Sequence, residues 1–132
     1  MTARTHDLAA FTALSLIALS QPARPVSLAT IIVAVVANLI GGITPDIDQP
    51  TAPLWHNLPI GHLFGKAFDE LSGGHRFLTH SLLGVAVFGL LAYAMLSFLH
   101  PIMGSVDVSL VWWAFMIGLV SHLVMDLSLI HI

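Results

Sequence analysis

Apolar residues fall into about four long runs, and almost every ionisable residue lies between runs or at the end of one. The runs cover about 7–21, 27–43, 79–99 and 108–126. Each is bounded by helix-stop or helix-start residues. Pro22 and Pro25 close the first, Ser27 is placed to cap the second, and Gly41, Gly42 and Pro45 end it. The Ile, Val and Ala content of the second run would by itself suit a strand. An open strand edge cannot sit in lipid, so length and setting favour helix. The first run is short: about 15 residues rise roughly 22 Å, against about 30 Å of hydrocarbon. Between the second and third runs, Leu63, Phe64, Ala67, Phe68 and Leu71 recur at helical spacing with Lys66, Asp69 and Glu70 between them. That pattern predicts a short amphipathic helix lying in the interface, or a plain surface helix. The expected fold is therefore all-α: a membrane-embedded bundle of about four transmembrane helices plus a short interfacial helix, in one domain.

Composition agrees on the solvent. Apolar residues make up 57% of the 132-residue chain and charged residues 8%, where a soluble domain carries about 25%. Mean hydropathy is +0.92. The net charge of −3 and the lack of a basic run argue against a nucleic-acid partner and leave the lipid bilayer as the expected one. With no cysteine, disulfides and thiolate metal sites are excluded.

Counting crossings gives the polar residues a common side. His6 precedes the first run, and two crossings return the chain to Asp46 and Asp48. His75 and His80 open the third run, and two more crossings deliver His122 and Asp126. Arg4, Lys66 and Arg76 lie on that side and Arg24 on the other, so the positive-inside tendency makes it cytoplasmic. Trp112 and Trp113, near the start of the last run, fit an aromatic belt.

Imidazole and carboxylate are ligands for zinc, manganese or iron, and ionisable residues in so apolar a chain are functional candidates. Asp46 and Asp48 are two residues apart, so in an extended turn both reach one ion or an ion pair; a capping turn is the plain alternative. His75 and His80 follow Gly73-Gly74, with Arg76 and Thr79 between them. Nearby helix N-terminal amides would help hold an anion that Arg76 could bind through its planar fork. Two interfacial histidines and a snorkelling arginine are the alternative. His122 and Asp126 at i, i+4 share a helix face, as two ligands or as a ligand and the carboxylate that orients it. His56, His62 and His100 have bland readings, His100 being on the opposite side.

Both ends carry further expectations. The first run could be a signal peptide, with Arg4 before it and Ala18-Leu19-Ser20 as a cleavage pattern, but Asp7 interrupts the charged start. The last six residues, 127–132, are expected to be a sequencing adapter translated in one frame, with an ordinary apolar helix end as the plain alternative. The domain is accordingly expected over 1–126, with the natural chain continuing differently, and His131 is discounted as a ligand.

Four stretches together resemble the bacterial membrane-bound metal-dependent hydrolase family, which includes a LexA-regulated inner-membrane protein. They are His6, Pro45-Asp-Ile-Asp-Gln-Pro50, His75-Arg-Phe-Leu-Thr-His-Ser81 and Ser121-His-Leu-Val-Met-Asp126. The family is distantly similar to zinc-dependent phospholipase C and P1-type nucleases. The resemblance implies an inner-membrane metal-dependent hydrolase, with phosphoester or phospholipid-like bonds as the natural guess. It also implies a Thr-Pro-containing segment and further helices after the last Asp, which this sequence lacks. The expected metal ligands are His6, Asp46, Asp48, His75, His80, His122 and Asp126. These are too many for one zinc, so two ions, or one with supporting partners, are expected. Arg76, Thr79 and Asp48 are the expected catalytic residues. The rivals are a non-catalytic membrane metal-binding or transport protein, whose ligands would lie nearer mid-span, and a pH-sensing structural protein.

Overall fold

The computed structural model describes residues 3–22, 24–48, 66 and 79–130, with side chains of Ala3, Asp48 and 128–130 outside the description. Four long helices run Ala3–Ser20 (α1), Leu28–Ile43 (α2), Leu82–Leu99 (α3) and Val108–Ile130 (α4). Short 3-10 turns, Thr44–Asp48 and His100–Ile102, follow α2 and α3. No strand occurs among the described residues. The expected interfacial helix lies outside them except for Lys66, which is helical and exposed.

Three stretches are long and apolar enough to cross a bilayer: Leu28–Ile47, Leu82–Ile102 and Val108–Leu127. α1 has the length, about 27 Å at 1.5 Å per residue, but carries Arg4, His6 and Asp7 in its first turns. Leu16, Leu82, Leu90, Phe98 and Val124 project outward from the bundle, as expected where the solvent is hydrocarbon.

Element starts differ from the periodicity in two places, and both matter for the polar cluster. α1 begins at Ala3 rather than near Asp7, because buried His6 packs inward instead of preceding the helix. α3 begins at Leu82, where the Ser81 side chain accepts a hydrogen bond from the Gly84 amide at 3.0 Å. Thr79 and His80 therefore stand in the turn before the helix rather than on its first turn. The Ser27 cap of α2 forms as expected, accepting from the Thr30 amide at 3.1 Å.

α4 is the hub, packing against α1, α2 and α3. Its crossing with α2 is close because glycines meet there. A Cβ on Gly118 would collide with the Asn38 carbonyl oxygen, and one on Gly41 with that of Phe115. Such small-residue contacts are how helices associate in lipid, where no hydrophobic force separates helix from solvent. Buried Asn38 adds a polar tie, its Nδ2 donating to the Ala114 carbonyl at 3.0 Å. On the other side of α4, Ala92 joins Phe115 and Leu119 in the apolar core. Trp112 donates from Nε1 to the Gly89 carbonyl at 2.8 Å and so fastens α3 to α4. Far from the cluster, Thr30 accepts from the Asp107 amide at 2.9 Å, and Asp107 caps α4 through the Ser109 and Leu110 amides at 3.0 and 3.1 Å.

Candidate metal centre

The helix ends bring five polar side chains to one place. His6 comes from the second turn of α1, Asp46 from the 3-10 turn after α2, His80 from the turn before α3, and His122 with Asp126 from the last turns of α4. The α2–α4 glycine contact positions the centre. It draws the end of α2 against α4, so that the His122 ring reaches across to the Gly42 carbonyl. Gly42 also meets α1, since a Cβ there would lie 3.2 Å from the Ala10 side chain. Three helices thus converge one turn from the cluster.

His122 is 1% exposed and its Nδ1 faces the Gly42 oxygen, a hydrogen-bond acceptor. Nδ1 is therefore the protonated nitrogen, and Nε2 presents its lone pair to the cluster. Asp46 Oδ1 lies 3.5 Å from that Nε2 and Asp126 Oδ2 3.8 Å from it. No close hydrogen bond satisfies the buried Nε2. His80 Nε2 lies 3.1 Å from Asp126 Oδ2 and 4.0 Å from Asp46 Oδ1, and its Nδ1 is 3.0 Å from Thr79 Oγ1. His6 Nε2 lies 3.6 Å from Asp126 Oδ1.

The His6 and His122 rings stack at 3.9 Å, with planes 16° apart. Stacking that close disfavours two charged rings. Burial first, and then His122, push the His6 pKa below its ordinary value, partly offset by Asp126 and Asp46. A neutral His6 retains a lone pair for coordination.

The donor spacing suits a cation. Two ligand atoms about 2.1 Å from one ion, at a tetrahedral angle, stand about 3.4 Å apart. The measured N···O separations run from 3.1 to 4.0 Å. Two triads could hold an ion, His6–His122–Asp126 and Asp46–His80–His122, each with donor atoms within 4.8 Å of one another. They share His122. Unpartnered buried Nε2 of His122 and Nδ1 of His6 fit the same use, because buried polar atoms otherwise go paired.

Of the other expected site residues, His75 and Arg76 lie outside the described residues, as do His56, His62 and His131. Asp48 ends the 3-10 turn two residues after Asp46, with its side chain outside the description. Thr79 is 1% exposed and its hydroxyl is spent on His80. That sets it against the candidate ligand His80. Gly42 was missed as a contributor. Gly41-Gly42 reads in sequence as a helix stop, and a carbonyl acceptor leaves no residue-type signal.

The class of protein follows: a helical membrane protein whose helix ends gather histidine and aspartate groups that could hold a metal ion. The sequence profile of the YdjM inner membrane protein family matches residues 1–129, nearly the whole chain, and the chain belongs to that family. The inner membrane is accordingly its location, as the resemblance implied. Comparison with curated proteins and with solved structures gives no significant match.

Proposed function

We propose that the chain is a metal-dependent hydrolase of the inner membrane, acting at the cytoplasmic interface on phosphoester bonds of phospholipid-like substrates. The observation that carries the reading is the convergence of His6, Asp46, His80, His122 and Asp126 from separate elements, with His122 turned so that Nε2 faces the carboxylates. Zinc is the favoured ion, one or two per chain, since imidazole nitrogen and carboxylate oxygen are its ligands in open catalytic sites. Asp48 and His75 complete the proposed ligand set.

When bound, a divalent cation would lower the pKa of a water molecule and polarise a phosphoryl oxygen. The chain's own residues do the rest. Asp126, 14% exposed, lies between His6 and His80 and holds both rings. Asp46 is the more open carboxylate at 28% exposed, on the side from which substrate would enter. Asp48, next along the turn, is assigned to take the proton from attacking water. Arg76 is assigned to the anionic oxygen of the substrate through its guanidinium fork. Thr79 positions His80 by its hydroxyl.

Placement at helix ends supports an enzyme over a transporter, whose pathway would need polar ligands at mid-span. Of the buried polar side chains within α2, Asn38 donates to a backbone carbonyl of α4 and Thr30 accepts from the Asp107 amide, both helix-packing uses.

Two measurements test the proposal. Protein purified in detergent is assayed for bound transition metal, and its hydrolysis of short-chain phosphoesters is followed with and without chelator. Retained metal and chelator-sensitive turnover are expected, both lost in Asp46→Ala/His122→Ala. Equal metal content in wild type and double variant would overturn the ligand assignment. Retained metal with no turnover on phosphoesters would overturn the hydrolase.

A further inference from the structure

Beside the cluster, a long apolar groove of about 740 Å³ runs between α1 and α4. That volume falls among those of small-molecule sites, about 300–1,000 Å³. One end lies next to the cluster-bearing residues, and Thr12 is a further polar residue midway along the α1 wall. Thr5, Ser121 and Met125 line that end, and they are the chain neighbours of His6, His122 and Asp126. Away from it the walls are Leu8, Leu16 and Ile17 from α1 and Trp113, Ile117 and Val120 from α4. Ala9 and Ala13, one helical turn apart on the α1 wall, are too short to fill the space.

We infer that this groove seats the acyl chain of a membrane phospholipid whose phosphoester lies at the His/Asp cluster. The inference rests on the hydrolase reading and locates where the tail of its phospholipid-like substrate would lie. Three features select the occupant. From Thr5 to Ile17 the α1 wall rises about 18 Å at 1.5 Å per residue, close to the roughly 15 Å that one leaflet's hydrocarbon occupies. The groove is bordered by outward-facing Leu8, Leu16 and Val124, so it opens sideways to lipid rather than to water. Its Thr5–Ser121 end adjoins the cluster through the next residues, His6 and His122, so an amphiphile entering from the leaflet would bring its head towards the cluster and leave its tail along the apolar walls. A helix seated in the groove would leave that polarity unused.

The test uses the full chain in phosphatidylcholine nanodiscs, with a single-chain dodecyl phosphate brominated along its tail as the probe. Trp113 lines the groove, so a seated tail should quench its fluorescence. Quenching is expected to saturate at a few mole percent, to be weaker at least tenfold with the trimethylammonium analogue, and to shrink in Trp113→Phe to what Trp55 and Trp112 retain. Ala13→Phe, which fills the groove, should weaken dodecyl phosphate binding at least tenfold while metal content and butyl phosphate binding stay unchanged. Ala9→Phe is the second plug, used if Ala13→Phe does not retain metal. Linear, unsaturating quenching, or binding indifferent to both plugs, would overturn the inference and leave the groove to bulk annular lipid. Saturable, plug-sensitive binding in a protein that holds no metal would sustain the groove while removing the metal reading, so the two failures are distinct.

Discussion

The imidazole of His122 donates from Nδ1 to the carbonyl oxygen of Gly42, a bond between α4 and the last turn of α2. It fixes at once the tautomer of a buried ring and the register of two helices. A ring held this way presents Nε2 alone to Asp46 and Asp126. Since both candidate triads include His122, its loss should cost more than that of any other member. His122→Ala is expected to abolish stoichiometric metal, whereas His6→Ala should leave part of it through Asp46 and His80. Metal analysis of the purified variants decides this, and equal losses would mean that the two triads do not share a ligand.

The glycine crossing should govern stability and the centre together. Gly118→Ala would drive a methyl group into the Asn38 carbonyl oxygen, which is backbone and cannot swing aside. Overpacking of this kind costs about 1–3 kcal/mol. A lowered unfolding temperature in detergent is expected, with reduced metal content because α2 and α4 part near Gly42. An unchanged melting curve would show that the helices have slack at the crossing.

Thr79 offers a test of positioning. Its hydroxyl lies 3.0 Å from His80 Nδ1, and partners behind a metal-bound histidine are typically worth about 10–100-fold in affinity. Thr79→Val keeps the shape and removes the bond, so metal affinity should fall within that range. Thr79→Ser should restore it. Titration with a metal-buffered dye measures both, and equal affinity of the valine and serine variants would exclude the role.

Acidification should release metal. A histidine coordinates only when neutral, so protons compete with the ion. Burial holds the His6 pKa below its ordinary 6.5, so His6 is neutral at pH 7 and its own contribution to binding should be flat above that pH. As pH falls below about 6, protonation of the histidines should progressively reduce affinity. For folding, the sign is the same. The unfolded chain takes up the His6 proton more readily than the folded one, so its effect on stability is nil above the unfolded pKa and destabilising as pH falls towards the folded one. Metal content and thermal unfolding across pH 5–8 check both, and affinity that rises on acidification would contradict histidine ligation.

Much of this architecture is legible in the residues themselves. Apolar runs bounded by Pro22, Ser27 and Pro45 mark helices because proline and caps act locally. Crossing parity alone places His6, Asp46, His80, His122 and Asp126 on one side, since each run reverses the chain's position across the bilayer. What parity cannot provide is distance within that side. Convergence to donor spacings of 3.1–4.0 Å depends on how closely α2 approaches α4, and that rests on Gly41 and Gly118 meeting across the interface rather than on either glycine alone. The tautomer of His122 was equally beyond the sequence, because its partner is a backbone carbonyl that every residue possesses. The Thr79–His80 contact was likewise beyond it: α3 starts at Leu82, and the preceding turn directs the hydroxyl to its neighbour His80. Local chemistry is written residue by residue, whereas a shared site is made by the contacts that bring distant helix ends together.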